Sequence, residues 1–392
     1  MTTLRSTLLL VGLGLALPAC LEESPLAAQS ASGPDEPGDP RDDAFLSGTA
    51  GTCVEPGSIA AEGVLALVND PEVDAVLLDA PVDEGGVGLD RRAAQGIVDA
   101  RPILDLAALD AVPYVGLRAC EALAERACNV DRRCVVPVGL MSWNTEHFPL
   151  TPAAPEGVVD IVDEHRPAFV GLQEVEDPAA FTAMLDDLPG YTGILGEPGP
   201  FTRVGLLLDD AQADVVEVEH LFVDDGWAFP RPVLAVRAQL LHAAVPTKVT
   251  FVVVHLKAMS DATSQSRRAL AVQKLRALVD QRRASGDGEV VIVGDWNDEL
   301  GDLPGSNVFG PLLDEAAGAT FLTLDESDAG EATLIPWGSM IDHVLATQEA
   351  LDAMPHQRTE VLHLDQTWSG DYVSTVSDHR PVLSVLGLPH PW

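Results

Sequence analysis

From Val135 onward the chain alternates short apolar runs with amphipathic helical stretches, and this alternation constrains the fold more than any other feature. Residues 135–143, 168–172, 204–208, 233–240, 249–256, 290–294, 340–346 and 381–386 read as buried strands, and residues 157–164, 178–188 and 264–283 as helices. Strands this apolar need cover on both faces, or a second sheet behind them. The pattern predicts an α/β (α+β) domain over residues 135–392, built as a two-sheet sandwich flanked by helices.

Polar groups gather where these runs begin and end. In order they are Ser142-Trp143-Asn144-Thr145-Glu146, Gly171-Leu172-Gln173-Glu174-Val175, Val254-His255-Leu256-Lys257, Gly294-Asp295-Trp296-Asn297, Ile341-Asp342-His343 and Ser377-Asp378-His379-Arg380. One Asp-His at a strand start is commonly a solvated loop pair, a Gly-Asp is commonly a turn, and a buried His255 could be a hydrogen-bonded core residue. Six such elements ending six strands form a set of roles. Phosphodiester hydrolysis must activate water, neutralise phosphoryl charge and stabilise a leaving alkoxide, and carboxylates with amides and histidines supply those functions.

The order and types of these motifs resemble the endonuclease/exonuclease/phosphatase superfamily, whose deoxyribonuclease I-like fold is a four-layer αββα sandwich. The resemblance covers the chain from about Val135 to its end. It implies Mg²⁺ as cofactor, with Mn²⁺ or Ca²⁺ as substitutes, held by Glu174 with Asn144 beside it and Asp378 adding negative charge; hard oxygen donors suit such ions. Asp295 would activate water or bind a second metal, and Asn297 would donate to a phosphoryl oxygen. His379 would contact the scissile phosphate with Asp342 fixing its tautomer, and His255 would be the second proton-transfer or phosphate-binding group. Arg203 and Lys257 are added as phosphate contacts. His147 and His343 are set aside, because a residue next to Asp342 on a strand points to the opposite face.

The N-terminus carries Arg5, an apolar stretch from Leu8 to Leu17, and Leu17-Pro18-Ala19-Cys20. Residues 1–19 read as a signal peptide too short to stay as a membrane span, and the ending resembles a bacterial lipobox that would lipidate Cys20. Residues 20–52 are rich in Pro, Gly, Ser, Ala and Asp and read as a disordered tether. The expected destination is extracytoplasmic: an envelope lipoprotein or a secreted protein. Cys53, Cys120, Cys128 and Cys134 then suggest two disulfides, with three pairings open, and no Cys-x-x-Cys pair supports zinc.

Residues 53–134 show helical periodicity broken at Gly and Pro. Residues 93–101 follow Gly86-Val87-Gly88, and residues 119–127 follow Tyr114-Val115-Gly116. The two units resemble a helix-hairpin-helix pair, whose turns present backbone N–H groups to a DNA phosphate. Asp83, Glu84 and Asp90 oppose that role, and Tyr114 stands where the motif has its first glycine, a position that asks for a backbone Tyr resists.

A net charge of −38 repels polyanions at long range, though salt screens remote charge beyond about 10 Å at 0.1 M. The combined expectation is a lipid-anchored, metal-dependent nuclease acting on DNA, or on RNA, with the membrane as its second contact through Cys20 and no obligate protein partner; whether it cuts as an endonuclease or an exonuclease is left open. A lipid or small-molecule phosphodiesterase of the same fold is the first alternative, and exposed apolar loops beside the site would favour it. An inactive DNA-binding scaffold lipoprotein is the alternative of another class, opposed by the full residue set.

Overall fold

The computed structural model describes residues 53–243, 245–303 and 306–390. The expected signal peptide, lipidated Cys20 and tether lie outside the described residues. Twelve strands form two mixed sheets: β1 (Val135–Phe148), β2 (Phe169–Val175), β3 (Tyr191–Leu195), β4 (Arg203–Asp209), β5 (Ala213–Leu221), β6 (Val233–Leu240), β7 (Lys248–His255), β8 (Val290–Asp295), β9 (Ala319–Phe321), β10 (Asp342–Thr347), β11 (His356–Val361) and β12 (Val382–Pro389). One sheet runs β11-β12-β1-β2-β4-β3 and the other β5-β6-β7-β8-β10-β9.

All eight predicted runs are strands. The four strands that the apolar pattern did not reveal, β3, β5, β9 and β11, are the four sheet edges. Composition explains two of the omissions and length the other two: β5 carries Asp214, Glu217, Glu219 and His220 and is mostly exposed, β11 reads His-Gln-Arg-Thr-Glu-Val, and β3 and β9 have 5 and 3 residues. Edge strands carry charge because an apolar edge would pair with another molecule.

The two sheets close on each other through Leu140, Phe169, Leu206, Val236, Phe251, Val293, Val344 and Leu386. Alternate residues of the same strands face outward. Val252, Val254 and Ile292 pack under Val272, Leu275 and Val279 of the Ala262–Ser285 helix. On the other side Met141, Trp143 and Leu172 meet Val158, Ile161 and Val162 of the Ala154–His165 helix. With apolar residues on both faces, the strands need this helix-sheet-sheet-helix arrangement, the deoxyribonuclease I-like αββα sandwich.

Residues 54–134 gather their own apolar cluster around Leu67, Leu78, Ile97 and Leu123. The disulfides are Cys53–Cys120 and Cys128–Cys134. Helices at Arg91–Asp99 and Leu117–Ala124 start two residues before the predicted positions. Tyr114 does take the left-handed conformation, with φ +69°, and the Arg92 guanidinium lies 4.0 Å over its ring. That contact corrects the expectation that a tyrosine would refuse this turn. At the first helix Asp90 caps its own N-terminus by accepting from Arg92 N, whereas Gly116 opens the second helix with no side-chain cap. No helix among the described residues is long and apolar enough to cross a membrane.

Candidate active site

The two parallel pairs, β1 with β2 and β7 with β8, end on the same side of the sandwich. Strand ends of that kind are where α/β folds keep their chemistry. Antiparallel β10 and β12 begin there too, so six strands deliver polar residues to one place. In the second sheet the register sets His255 opposite Asp295, and Asp295 opposite Asp342. Register partners point to one face, so these three side chains form a row. In the first sheet Asn144 lies opposite Gln173, with Glu174 next along β2.

Distances join the two sheets. Asn144 Nδ2 donates to Asp295 Oδ2 at 3.0 Å and approaches Glu174 Oε1 at 3.4 Å. His255 Nε2 is 3.4 Å from Asp295 Oδ2 and 3.9 Å from Glu174 Oε1. Asp342 Oδ2 is 2.7 Å from Nδ1 of His379, whose Nε2 lies 3.8 Å from Asp378 Oδ1. Asn297 N donates to Asp295 Oδ1 at 2.9 Å, and its amide reaches the Leu256 carbonyl at 3.3 Å.

The backbone is held in sparsely populated conformations here. Glu146, Glu174 and Asn297 have φ of +37°, +63° and +55°, a region non-glycine residues enter only where surrounding contacts enforce it. Gly294 is required for space: a Cβ there would lie 2.1 Å from the Val254 carbonyl oxygen. The loop before β12 is pinned by Ser377 Oγ, which donates to the Asn144 carbonyl at 2.6 Å and accepts from His379 N at 2.9 Å. Arg380 grips Asp365 with two bonds of 2.7 and 2.8 Å, and Tyr372 Oη donates to the His379 carbonyl at 2.7 Å. Thr333 Oγ1 accepts from Ile341 N and Asp342 N and so sets the start of β10.

Electrostatics separate the titrating groups. Burial, then the Asp342 carboxylate, push Asp295 up to about 7. Burial opposes the charge on His379, but Asp342, Asp295 and Asp378 outweigh it and push the imidazole up to about 10. Burial, then Arg231 and His379, hold His255 well below the ordinary histidine range. One histidine is therefore charged and the other neutral at pH 7, with a carboxyl poised near neutrality between them. His343 lies behind the site: Nε2 donates to the Asp298 carbonyl, Nδ1 faces the Thr323 hydroxyl, and burial lowers it to about 4.

Two donor groups bear on a cation. Asp295, Asp342 and His379 bring ligand atoms within 4.8 Å of one another, but Nδ1 of His379 is bonded to Asp342 and the charged ring has no lone pair to offer. Glu146, Glu174 and Asp378 are the better fit. Asp378 N donates to Glu146 Oε2 at 2.8 Å, and burial followed by like charge raises both Glu146 and Asp378. Hard carboxylate oxygens in excess negative charge, with no lysine or arginine paired to them, suit Mg²⁺ or Mn²⁺.

The structure thus brings together Asn144, Glu174, His255, Asp295, Asn297, Asp342, Asp378 and His379. Arg203 opens β4 opposite Val175, beside Glu174, and makes no ion pair among the described residues. Lys257 turns its amine to the Ala258 carbonyl. Sequence reasoning assigned no role to Glu146, although it lies inside the Asn144 motif, and missed Arg231, which no motif signals. Arg231 donates to Thr202 Oγ1 at 3.2 Å and to the Leu256 carbonyl at 3.3 Å.

The Endonuclease/Exonuclease/phosphatase family profile matches residues 141–379, from the first site strand to His379. The chain belongs to this family. Membership makes it a phosphoester hydrolase by class. No curated protein matches the chain. Among solved structures, a humanized D. rerio TDP2 carrying 14 mutations is similar at 18% identity, covering 64% of this chain and 98% of that one with a TM-score of 0.51. D. rerio TDP2 complexed with single-strand DNA product is similar at 17% identity, with 64% and 98% covered and a TM-score of 0.50. At such identity these likenesses speak for the family's fold.

Proposed function

We propose that this chain is an exported, lipid-anchored, metal-dependent nuclease that hydrolyses phosphodiester bonds of DNA. The observation that carries the chemistry is the row His255, Asp295, Asp342, set by strand register and faced by His379 and Glu174. Glu174, Asn144 and Asp378, with Glu146 beside them, would hold Mg²⁺, which when bound neutralises phosphoryl charge and stabilises the leaving alkoxide. Asp295, poised near pH 7, accepts the proton of the attacking water. The charged His379 donates from Nε2 to a phosphoryl oxygen, with Nδ1 locked on Asp342. His255, neutral, presents an Nε2–H beside Asp295 and keeps a second positive charge out of the water-activating corner. Asn297 orients the phosphate.

A nucleic-acid substrate is in keeping with the single-strand DNA product held by the similar D. rerio TDP2. The helical pair in residues 53–134 would act as an auxiliary guide through its second turn, where Gly116 leaves the helix start without a side-chain cap. Two disulfides in the same segment agree with export, and lipidation of Cys20 would tether the enzyme to the envelope.

One observation favours a lipid phosphodiesterase as a second reading. Phe201 is 85% and Trp337 80% exposed on loops touching the site: Phe201 precedes Thr202, the partner of Arg231, and Trp337 lies in the Leu334–Ser339 turn that bridges His379. Exposed aromatics serve either to stack bases or to enter a bilayer.

The deciding experiment incubates residues 52–392 with Mg²⁺ or Mn²⁺ and supercoiled plasmid, beside phospholipid vesicles and bis(p-nitrophenyl) phosphate, with His379→Ala as control. Nicking by the wild type alone supports the nuclease. Headgroup release without nicking moves the assignment to lipid, and equal rates for wild type and His379→Ala would remove the mechanism. Cys20→Ser should shift the full chain from the membrane to the soluble fraction.

A further inference from the structure

In a chain with 61 acidic and 23 basic residues, a cluster of basic side chains without carboxylate partners is unexpected. The Ala262–Ser285 helix shows the ordinary outcome: Arg268, Lys274, Arg276, Arg282 and Arg283 each pair with an acid. Arg267 does not. Its guanidinium donates to the carbonyls of Trp227 and Gly226 and lies 4.9 Å from the Trp227 ring.

Two more unpaired cations sit beside it. Arg231 spends its donors on Thr202 Oγ1 and the Leu256 carbonyl, which also accepts from the Asn297 amide. Lys257 follows Leu256, and among the described residues its amine donates to the Ala258 carbonyl. Arg231 and Lys257 border the turn that leaves His255, and Arg267 precedes Arg268, which binds that turn. Arg268, tied to Asp298, holds that turn from beneath by donating to the carbonyls of Lys257 and Met259. Burial, then Arg267 and Arg231, lower the proton affinity of Lys257 and outweigh the opposing Asp261, which places the charges within reach of one another. Such crowding is unfavourable until an anion relieves it.

We propose that Arg231, Lys257 and Arg267 form a second anion subsite that holds the phosphate adjoining the scissile one along a nucleic-acid strand. Arg231 is innermost, felt by Glu174 and Asp295, and Arg267 outermost, with the half-exposed Trp227 ring as a platform for the adjoining base. The remote acidic charge of the chain is screened, whereas these three contacts act at bonding distance. The subsite gives a negatively charged protein local purchase on a polyanion, and it rests on the nuclease reading above.

The test compares wild type with Arg267→Gln and Lys257→Gln, both at partly exposed positions, on oligothymidylate and on bis(p-nitrophenyl) phosphate, which carries one phosphate. The ratio of kcat/KM for the two substrates should fall about tenfold in each variant, the loss of one charged phosphate contact. The slope of log kcat/KM for oligothymidylate against log salt should flatten by about 0.7 per contact removed. An unchanged ratio and slope would overturn the subsite. If wild type cleaves bis(p-nitrophenyl) phosphate but not oligothymidylate, the nuclease reading fails on its own. Inhibition by adenosine 3′,5′-bisphosphate then decides the subsite: weaker inhibition in both variants retains it for another polyphosphorylated substrate, and equal inhibition overturns it.

Discussion

Asp342 Oδ2 lies 2.7 Å from Nδ1 of His379, and the Asp342 side chain has no exposed surface. A buried carboxylate in that position fixes which ring nitrogen faces the cleft and keeps the imidazole charged. Asp342→Asn preserves shape and removes the charge. It should lower kcat at pH 8 by about 10²–10⁴, the range for losing a properly charged and oriented histidine. An NMR titration of His379 should show its pKa falling from about 10 toward the ordinary range.

The acid–base split predicts a bell-shaped pH profile. Asp295 must lose its proton to act as base, so kcat/KM should rise with pH through about 7. His379 must keep its proton, so the rate should fall as pH passes about 10. Asp295→Asn should abolish the acid limb along with most of the rate.

His343 makes a separate contribution to stability. Its folded pKa of about 4 lies below the ordinary histidine value of 6.5. Its neutral form is the one that fits, so stability is full above pH 6.5 and is lost as pH falls toward 4, by on the order of 3 kcal/mol. Urea midpoints recorded from pH 8 to 4 should show this loss, and His343→Gln should flatten it.

Gly294 positions Asp295 by allowing β8 to approach β7. The obstacle to a Cβ, 2.1 Å away, is the backbone carbonyl of Val254, which cannot rotate aside. Gly294→Ala should cost at least about 3 kcal/mol and shift Asp295 out of the row. A midpoint within error of wild type in urea would contradict this packing.

The two disulfides differ in the chain length they close. Cys53–Cys120 spans 67 residues and Cys128–Cys134 spans 6. Loop-closure entropy gives about 4 kcal/mol for the first and about 2 kcal/mol for the second. The Cys53→Ser/Cys120→Ser pair should therefore expose residues 53–134 to trypsin at lower urea than Cys128→Ser/Cys134→Ser.

By itself the sequence determined the eight apolar strands, the two helices that sheathe the sandwich and the polar residues that end each run. Burial and backbone conformation act locally, so an apolar stretch ending in Gly-Asp-Trp-Asn reports both. The edge strands β5 and β11 escaped because an edge is kept polar and a polar strand looks like a loop, and β3 and β9 because they are short. Only the tertiary structure decided which ends meet. Asp295 lies opposite both His255 and Asp342 because β8 sits between β7 and β10, an order fixed by packing two twisted sheets face to face. The same packing turned Glu146 toward Asp378 and left Arg231, Lys257 and Arg267 without an ion pair among the described residues, and the separate core of residues 54–134 chose the disulfide partners. Each of these is a relation between residues far apart in the chain, and local composition carries no record of it.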